Sequence, residues 1–222
     1  MTQHCPQPAT LAETFPARPR RSLYAGPGKR LLDVALVLAA LPVALPLLFA
    51  AAALAGLDGH SPLFAQPRLG RDGRRFALLK IRTMVPEAEA RLAGLLAGDP
   101  TAAREWAETQ KLRHDPRVTR RGAVLRRSSL DELPQLWNVL RGDMSLVGPR
   151  PMLPEQRPLY PGGAYESLRP GLTGIWQVQA RNAAGFAERA AYDSQYASQI
   201  SLRTDLRILA RTLPAVFRQT GC

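Results

Sequence analysis

Residues 31 to 57 constrain this chain more than any other stretch. From Leu31 to Leu57 the sequence is almost entirely apolar, and Asp33 alone interrupts it. About 20 consecutive apolar residues span the hydrocarbon core of a bilayer as a helix. Two details complicate a simple spanning helix. Pro42 and Pro46 fall in the middle, and each removes a backbone donor and bends a helix. The flanks also carry the same sign, Lys29 and Arg30 before the run and Arg68, Arg71, Arg74 and Arg75 after it. Positive charge marks the cytoplasmic side of a membrane segment. A helix that enters, breaks near the prolines and returns satisfies both details. Proline is also tolerated in spanning helices, so these features leave both readings open.

Charge narrows the partners. The 222 residues carry a net charge of +12, dominated by arginine, which implies an anionic partner. Arginine presents a planar fork suited to phosphate. From Lys111 to Arg127 the chain holds seven cations against Asp115. No helix-turn-helix, zinc or RNA-recognition signature accompanies them and aromatics are sparse, so no nucleic-acid partner is expected. Cys5 and Cys222 sit at opposite ends and His4, His60 and His114 are scattered. Neither set has disulfide-framework or metal-site spacing, which suits a reducing compartment.

The residues divide the chain into three parts. Residues 1 to 28, rich in Pro, Ala and Arg, read as a disordered basic tail; residues 29 to 58 hold the membrane helix, and 59 to 222 the cytosolic domain. Gly70-Arg71-Asp72-Gly73 signals a turn between two short strands. Phe76 to Met84 forms the second strand, with Lys80 and Arg82 on one face. Helices are expected over 86 to 97 and 101 to 112, parted by Gly98-Asp99-Pro100, and again from Phe186 onward. There Leu202, Leu206, Leu209, Leu213 and Val216 make an apolar stripe beside Arg203, Arg207, Arg211 and Arg218. Such basic amphipathic helices lie either on a core or on a membrane surface. The fold class is therefore α+β and mostly helical, with a few short strands.

The chemistry concentrates in Ser129-Leu130-Asp131-Glu132-Leu133-Pro134-Gln135-Leu136-Trp137-Asn138, behind Arg126 and Arg127. Ser129 followed three residues later by Glu132 has the form of a capping box. Leu130, Leu133, Leu136, Trp137 and Leu140 recur at helical spacing and predict a buried face. Carboxylates among cations are expected to have depressed pKa values and to stay ionised. An ionised Asp131 can attack phosphorus, and Glu132 can hold Mg²⁺. The same spacing also fits two carboxylates that only complement a helix start. Downstream, Pro149-Arg150-Pro151 fixes an arginine in stiff, extended backbone, as a phosphate clamp requires. A catalytic site and a non-catalytic basic membrane scaffold both remain compatible with these residues.

The ordered motifs resemble the bacterial sugar transferase family, the monotopic polyprenyl-phosphate hexose-1-phosphate transferases. They are Lys29-Arg30-Leu31-Leu32-Asp33, Lys80-Ile81-Arg82-Thr83-Met84, Asp115-Pro116-Arg117-Val118-Thr119 and Ser129 to Asn138. Gly142 to Pro151, Arg169-Pro170-Gly171-Leu172-Thr173-Gly174, Trp176-Gln177-Val178 and Arg181-Asn182 follow. The resemblance implies a re-entrant helix-break-helix at the cytoplasmic face of a bacterial inner membrane, among its phospholipids. It implies transfer of a hexose-1-phosphate from a UDP-sugar to undecaprenyl phosphate, with release of UMP, at the start of exopolysaccharide, O-antigen or glycoconjugate synthesis. Asp131 would be the nucleophile and Glu132 the Mg²⁺ ligand. Arg126, Pro149 and Arg150 would contact phosphates, joined by Lys80, Arg82, Gln177 and Arg181. A homodimer is compatible with the resemblance. Two departures stand out: a short loop from Leu57 to Gln66, and a second proline, Pro46, after Leu41-Pro42. Longer members carry spanning helices upstream, and this chain is expected to be the minimal form.

Overall fold

The computed structural model describes residues 22–110, 112–180 and 185–217. It is mostly helical with two small sheets, as the sequence predicts. Helix α1, Lys29–Gly56, carries both Pro42 and Pro46 inside one continuous element. The break expected at the prolines is therefore not an interruption of the helix. Twenty-eight residues extend about 42 Å at 1.5 Å each. Ahead of α1, Tyr24–Gly28 form a π-helical turn. The segment expected as tail down to residue 28 is thus already ordered from Tyr24, because the Tyr24 hydroxyl donates to Asp205 at 2.6 Å.

Both ends of α1 are fastened to the same domain. At the start, Lys29 pairs with buried Asp205 at 2.6 Å, and Arg30 donates to the carbonyls of Val139 and Leu140. Asp33 accepts from the Leu146 amide at 3.0 Å, and Val37 enters the main core. At the far end, Ala51 and Ala55 pack with Ile81 and Leu125. Arg82 closes that end by donating to the Ala55 carbonyl at 3.0 Å and to Asp58. Between these anchors Leu38, Val43, Leu45, Leu47 and Phe49 are exposed. Covering those five side chains with an apolar phase is worth on the order of 5–10 kcal/mol. Among the described residues, Tyr24–Gly56 is the one segment long and apolar enough to cross a bilayer.

Strands β1, Leu63–Leu69, and β2, Arg75–Ile81, form an antiparallel hairpin that pairs Leu63 with Ile81 and Leu69 with Arg75. Its turn holds Asp72 and Gly73 at positive φ, where Gly70-Arg71-Asp72-Gly73 predicts a reversal. Surface helices α2, Ala88–Gly98, and α3, Pro100–Thr109, follow. Asp99 caps α3 by accepting from the Thr101 and Ala102 amides, with Pro100 in the first turn. Helix α4, Arg120–Arg127, is capped by the Thr119 hydroxyl, and α5 spans Gln135–Arg141. Strands β3, Ser145–Val147, and β4, Gly171–Thr173, pair in parallel. Helices α6, Ile175–Gln179, α7, Arg189–Gln199, and α8, Leu202–Phe217, complete the core. In α8 Ile208 is buried and Leu209 packs on the core, while Leu202 and Leu206 are exposed. The expected stripe is therefore split between core and surface. The side chains of Leu213, Val216 and Arg218 lie outside the described residues.

The β3–β4 crossing depends on absent side chains. A Cβ on Gly171 would stand 2.1 Å from the Gly148 nitrogen, and one on Gly148 would stand 2.3 Å from the Arg169 carbonyl oxygen. This close approach lets the Gly171 amide donate to the Pro149 carbonyl at 2.7 Å, fixing the loop that carries Arg150. Gly171→Ala is expected to cost about 3 kcal/mol or more, a loss of several degrees in melting temperature. Gly94→Ala, with open space around its Cβ in α2, should melt unchanged or slightly higher. Thermal denaturation of both variants in detergent checks the contrast.

Candidate active site

The carboxylate pair sits where the hairpin, α4, α5 and the Pro149–Pro151 loop meet. Asn138 sets the first distance. Its Oδ1 accepts from the Leu79 amide at 3.0 Å and its Nδ2 donates to the Ala77 carbonyl at 2.8 Å. Those bonds stitch α5 to β2 and bring Lys80 opposite the chain just ahead of α5. There Lys80 Nζ meets Glu132 Oε1 at 3.3 Å, and Arg150 Nη2 reaches the same oxygen at 3.3 Å. Glu132 Oε2 has no hydrogen bond among the described residues.

The local backbone differs from the expected helix start. Leu130–Glu132 form a 3₁₀ turn, preceded by Ser129 in left-handed conformation at φ 57°. Ser129 makes no side-chain cap bond, so the capping box does not form. Glu132 is drawn to the two cations instead, which outweigh a cap because charge-assisted bonds are the stronger ones. Trp137, expected on a buried face, is 56% exposed, while Val139 is fully buried. The α-helix starts after Pro134, which turns the apolar face by a register the sequence alone does not show.

Asp131 is 6% exposed and accepts no hydrogen bond among the described residues. Burial, reinforced by Glu132 beside it, raises its carboxyl above the ordinary range; Lys80, Arg126 and Arg150 oppose the rise without cancelling it. The expectation that both carboxylates are depressed is therefore wrong for Asp131. It holds for Glu132: burial pushes that group up, yet Lys80 and Arg150 bring it below the ordinary range. Lys80 is lowered by burial, with Glu132 countering. The site thus holds one firmly ionised carboxylate and one poorly solvated, unpartnered carboxylate.

Arg126 reaches the pair from the last turn of α4, its Nε donating to Thr83 Oγ1 at 2.9 Å. Gly122 permits this, since a Cβ there would lie 2.0 Å from the Thr83 carbonyl oxygen. Pro149 is fully buried and shapes the clamp from behind. Gln177 is also buried, with its Oε1 2.9 Å from where a Cβ on Gly174 would stand. It packs behind the Gly148–Pro151 loop. Arg82 is not brought to the pair. It lies past the end of β2 and is held by Asp58 at 2.5 Å and by the Ser61 and Ala55 carbonyls. A cavity of about 300 Å³ beside it is lined by Arg120, Arg121 and Gly122. Arg181 lies outside the described residues. Reading the sequence missed Asn138 and Thr83 as positioning groups, and Arg68, which donates to the Pro151 carbonyl at 3.1 Å. Only the alternation of β1 points Arg68 toward that loop.

No group of three metal-ligating side chains occurs among the described residues. Mg²⁺ does not require one, since it is held by one or two carboxylates, waters and substrate phosphates. Asp131 and the free Oε2 of Glu132 fit that donor set.

Comparison with known proteins converges on one family. The family model described as bacterial sugar transferase matches residues 24–219. A UDP-galactose-lipid carrier transferase of Erwinia amylovora is 43% identical over 87% of this chain, which spans 41% of that relative. The exopolysaccharide production protein ExoY of Rhizobium meliloti (strain 1021) is 44% identical over 94% of this chain and 92% of its own length. A UDP-glucose:undecaprenyl-phosphate glucose-1-phosphate transferase of Caulobacter vibrioides is 43% identical over 85% of this chain and 69% of its own.

The raised Asp131 carboxyl has a stability consequence. A carboxyl raised on folding costs stability as pH climbs through the window from its unfolded value, about 3.9, to its folded one, and the cost persists above it. Asp131→Asn removes that cost. The variant should melt above the parent at neutral pH, with the gap closing below about pH 4. A lower melting temperature at neutral pH would contradict the assignment.

Proposed function

Because this chain belongs to the bacterial sugar transferase family, we propose that it is a sugar-1-phosphate transferase working on a membrane lipid phosphate. Its relatives' names speak of UDP-sugars, undecaprenyl phosphate and exopolysaccharide production. On this reading the donor is a UDP-hexose, the acceptor is undecaprenyl phosphate, and the product starts an exopolysaccharide or related glycan. The observation that carries the reading is Asp131: a buried carboxylate that accepts no hydrogen bond among the described residues, with the charges of Lys80, Arg126 and Arg150 near it.

The geometry suits a two-step displacement. An Asp131 oxygen attacks the sugar-side phosphorus of the donor. The P–O–P bond breaks, its bridging oxygen keeps the electron pair, and UMP leaves. A phosphosugar remains on Asp131 as an acyl phosphate. An oxygen of the lipid phosphate then attacks the same phosphorus, and the carboxylate departs with its electrons restored. Burial makes Asp131 a stronger nucleophile than a solvated aspartate, while Lys80, Arg126 and Arg150 oppose the rise that burial imposes on its carboxyl. Lys80 and Arg126 flank the position of the transferred phosphoryl group, and Arg150 stands opposite on its rigid loop. Bound Mg²⁺ would neutralise diphosphate charge and polarise it, held by Glu132 and Asp131.

Helix α1 supports a membrane arrangement for this reading. Its two ends are anchored to one domain, by Lys29–Asp205 and by Arg82–Ala55; one face of its middle packs on the domain through Leu41, Ala44 and Leu48, and the other is apolar and exposed. A helix crossing the bilayer would carry its far end away from that domain. These anchors support a re-entrant α1 that dips into the cytoplasmic leaflet and returns, bent at Pro42 and Pro46. The site then faces the cytoplasm beside the lipid headgroups.

Purified protein with Mg²⁺, undecaprenyl phosphate and a panel of UDP-sugars should release UMP with at least one sugar, and chelation should abolish release. Asp131→Asn should lose turnover by several orders of magnitude while staying in the membrane fraction. The acid limb of the parent's rate should fall above the ordinary aspartate value of about 3.9. UMP release retained by Asp131→Asn would overturn the nucleophile assignment.

A further inference from the structure

Beyond the carboxylate pair, Arg68, Arg150 and Arg189 gather along the Pro149–Pro151 loop. Arg68 Nη1 binds the Pro151 carbonyl and its Nη2 binds Gln66 Oε1 at 2.6 Å, while its buried Nε has no hydrogen-bond partner. Arg189 opens α7 and is 8% exposed. Its guanidinium carbon lies 4.3 Å from the Trp176 ring centre and 4.6 Å from that of Phe186. Among the described residues its Nε, like that of Arg68, is buried without a partner. Neither Arg68 nor Arg189 forms an ion pair with a described carboxylate.

The local acids do not balance these charges. Glu132 is shared between Lys80 and Arg150. Asp193, one turn along α7, accepts from the Tyr160 hydroxyl at 2.7 Å, and burial pushes it up to about 7. Arg68 and Arg150 also act on Arg189 as near like charges. A buried, unpaired guanidinium is costly. Here two aromatic rings lie against the guanidinium, and its buried Nε is left without a partner among the described residues. The guanidinium fork matches a phosphate bound edge-on.

The position selects among phosphates. Around Arg189 the core consists of Leu69, Met152, Tyr160, Tyr165, Phe186 and Ala190, with no α1 residue. With no α1 residue in that cluster, a phosphate there suits a soluble ligand better than the headgroup of a membrane lipid. Resting on the proposed transferase reading, we infer that Arg189, with Arg68 beside it, binds the nucleotide-side phosphate of the donor, the one that leaves as UMP. As the P–O–P bond breaks, that phosphate gains the charge these two arginines neutralise.

The test uses the full chain in detergent or nanodiscs and compares the parent with Arg189→Met, which keeps length and ring contact, and Arg189→Lys. Melting is read without ligand, with UMP, and with a short-chain polyprenyl phosphate. Without ligand, Arg189→Met should melt at or above the parent, since a crowded buried cation is gone. Its affinity for UMP should fall about tenfold or more, its response to the lipid phosphate should persist, and Arg189→Lys should lie between. An undiminished UMP response in Arg189→Met would overturn the inference. So would a lowered ligand-free melting point with both responses weakened alike, which marks a structural role. Loss of the lipid-phosphate response alone would assign the site to the acceptor and equally overturn it. A parent that turns over UDP-sugar while Arg189→Met binds UMP normally sinks only this inference; a parent with neither turnover nor UMP binding sinks the functional reading as well.

Discussion

Glu132 is claimed by two cations from opposite sides, Lys80 on the hairpin and Arg150 on the proline-bounded loop. Everything distinctive about the site follows from that three-way contact. It pulls Glu132 away from any capping role, leaves Ser129 in a left-handed turn, and starts α5 only after Pro134. It also occupies Lys80 and Arg150, and the neighbouring Asp131 is buried with no hydrogen bond among the described residues. One carboxylate is stabilised as an anion and the next is left poorly solvated and raised. Their environments, more than their residue types, assign them different roles.

The scaffold is arranged to hold that contact rigid. Asn138 ties α5 to β2, Gly122 lets α4 press on Thr83, and the Gly148–Gly171 approach fixes the backbone around Arg150. The same domain grips both ends of α1, through Asp205 at one end and Arg82 with Ala55 at the other. The apolar segment is thereby coupled to the site through β2, whose Lys80 faces Glu132 and whose continuation, Arg82, locks the helix end.

Local signals in the sequence were reliable where one residue type has one physical use. Asp72-Gly73 marks the hairpin turn because its backbone needs positive φ, and Asp99-Pro100 starts α3 because it supplies a cap and a preset first turn. The ordered motifs single out Asp131, Glu132, Lys80, Arg126 and Arg150, and the fold brings these five together. Errors arose where two interactions compete for one side chain. The Ser129–Glu132 spacing fits a capping box, but distant cations decide where Glu132 goes. Period-two alternation put Lys80 and Arg82 on one face, but β2 ends at Ile81, and Arg82 turns to Asp58 instead. Arg189 carries no local pattern. Its significance lies in Trp176, Phe186 and the Pro149–Pro151 loop, which only the tertiary fold assembles.

The central claim is that Asp131 itself carries the phosphosugar between donor and acceptor. Intact-protein and peptide mass spectrometry after incubation with UDP-sugar and Mg²⁺, without lipid phosphate, tests it most directly. The account predicts stoichiometric UMP and one hexose-phosphate adduct on the peptide containing Asp131, discharged when polyprenyl phosphate is added. UMP formation that requires the lipid phosphate from the outset, with no adduct on that peptide, would contradict it and make the transfer a single direct displacement.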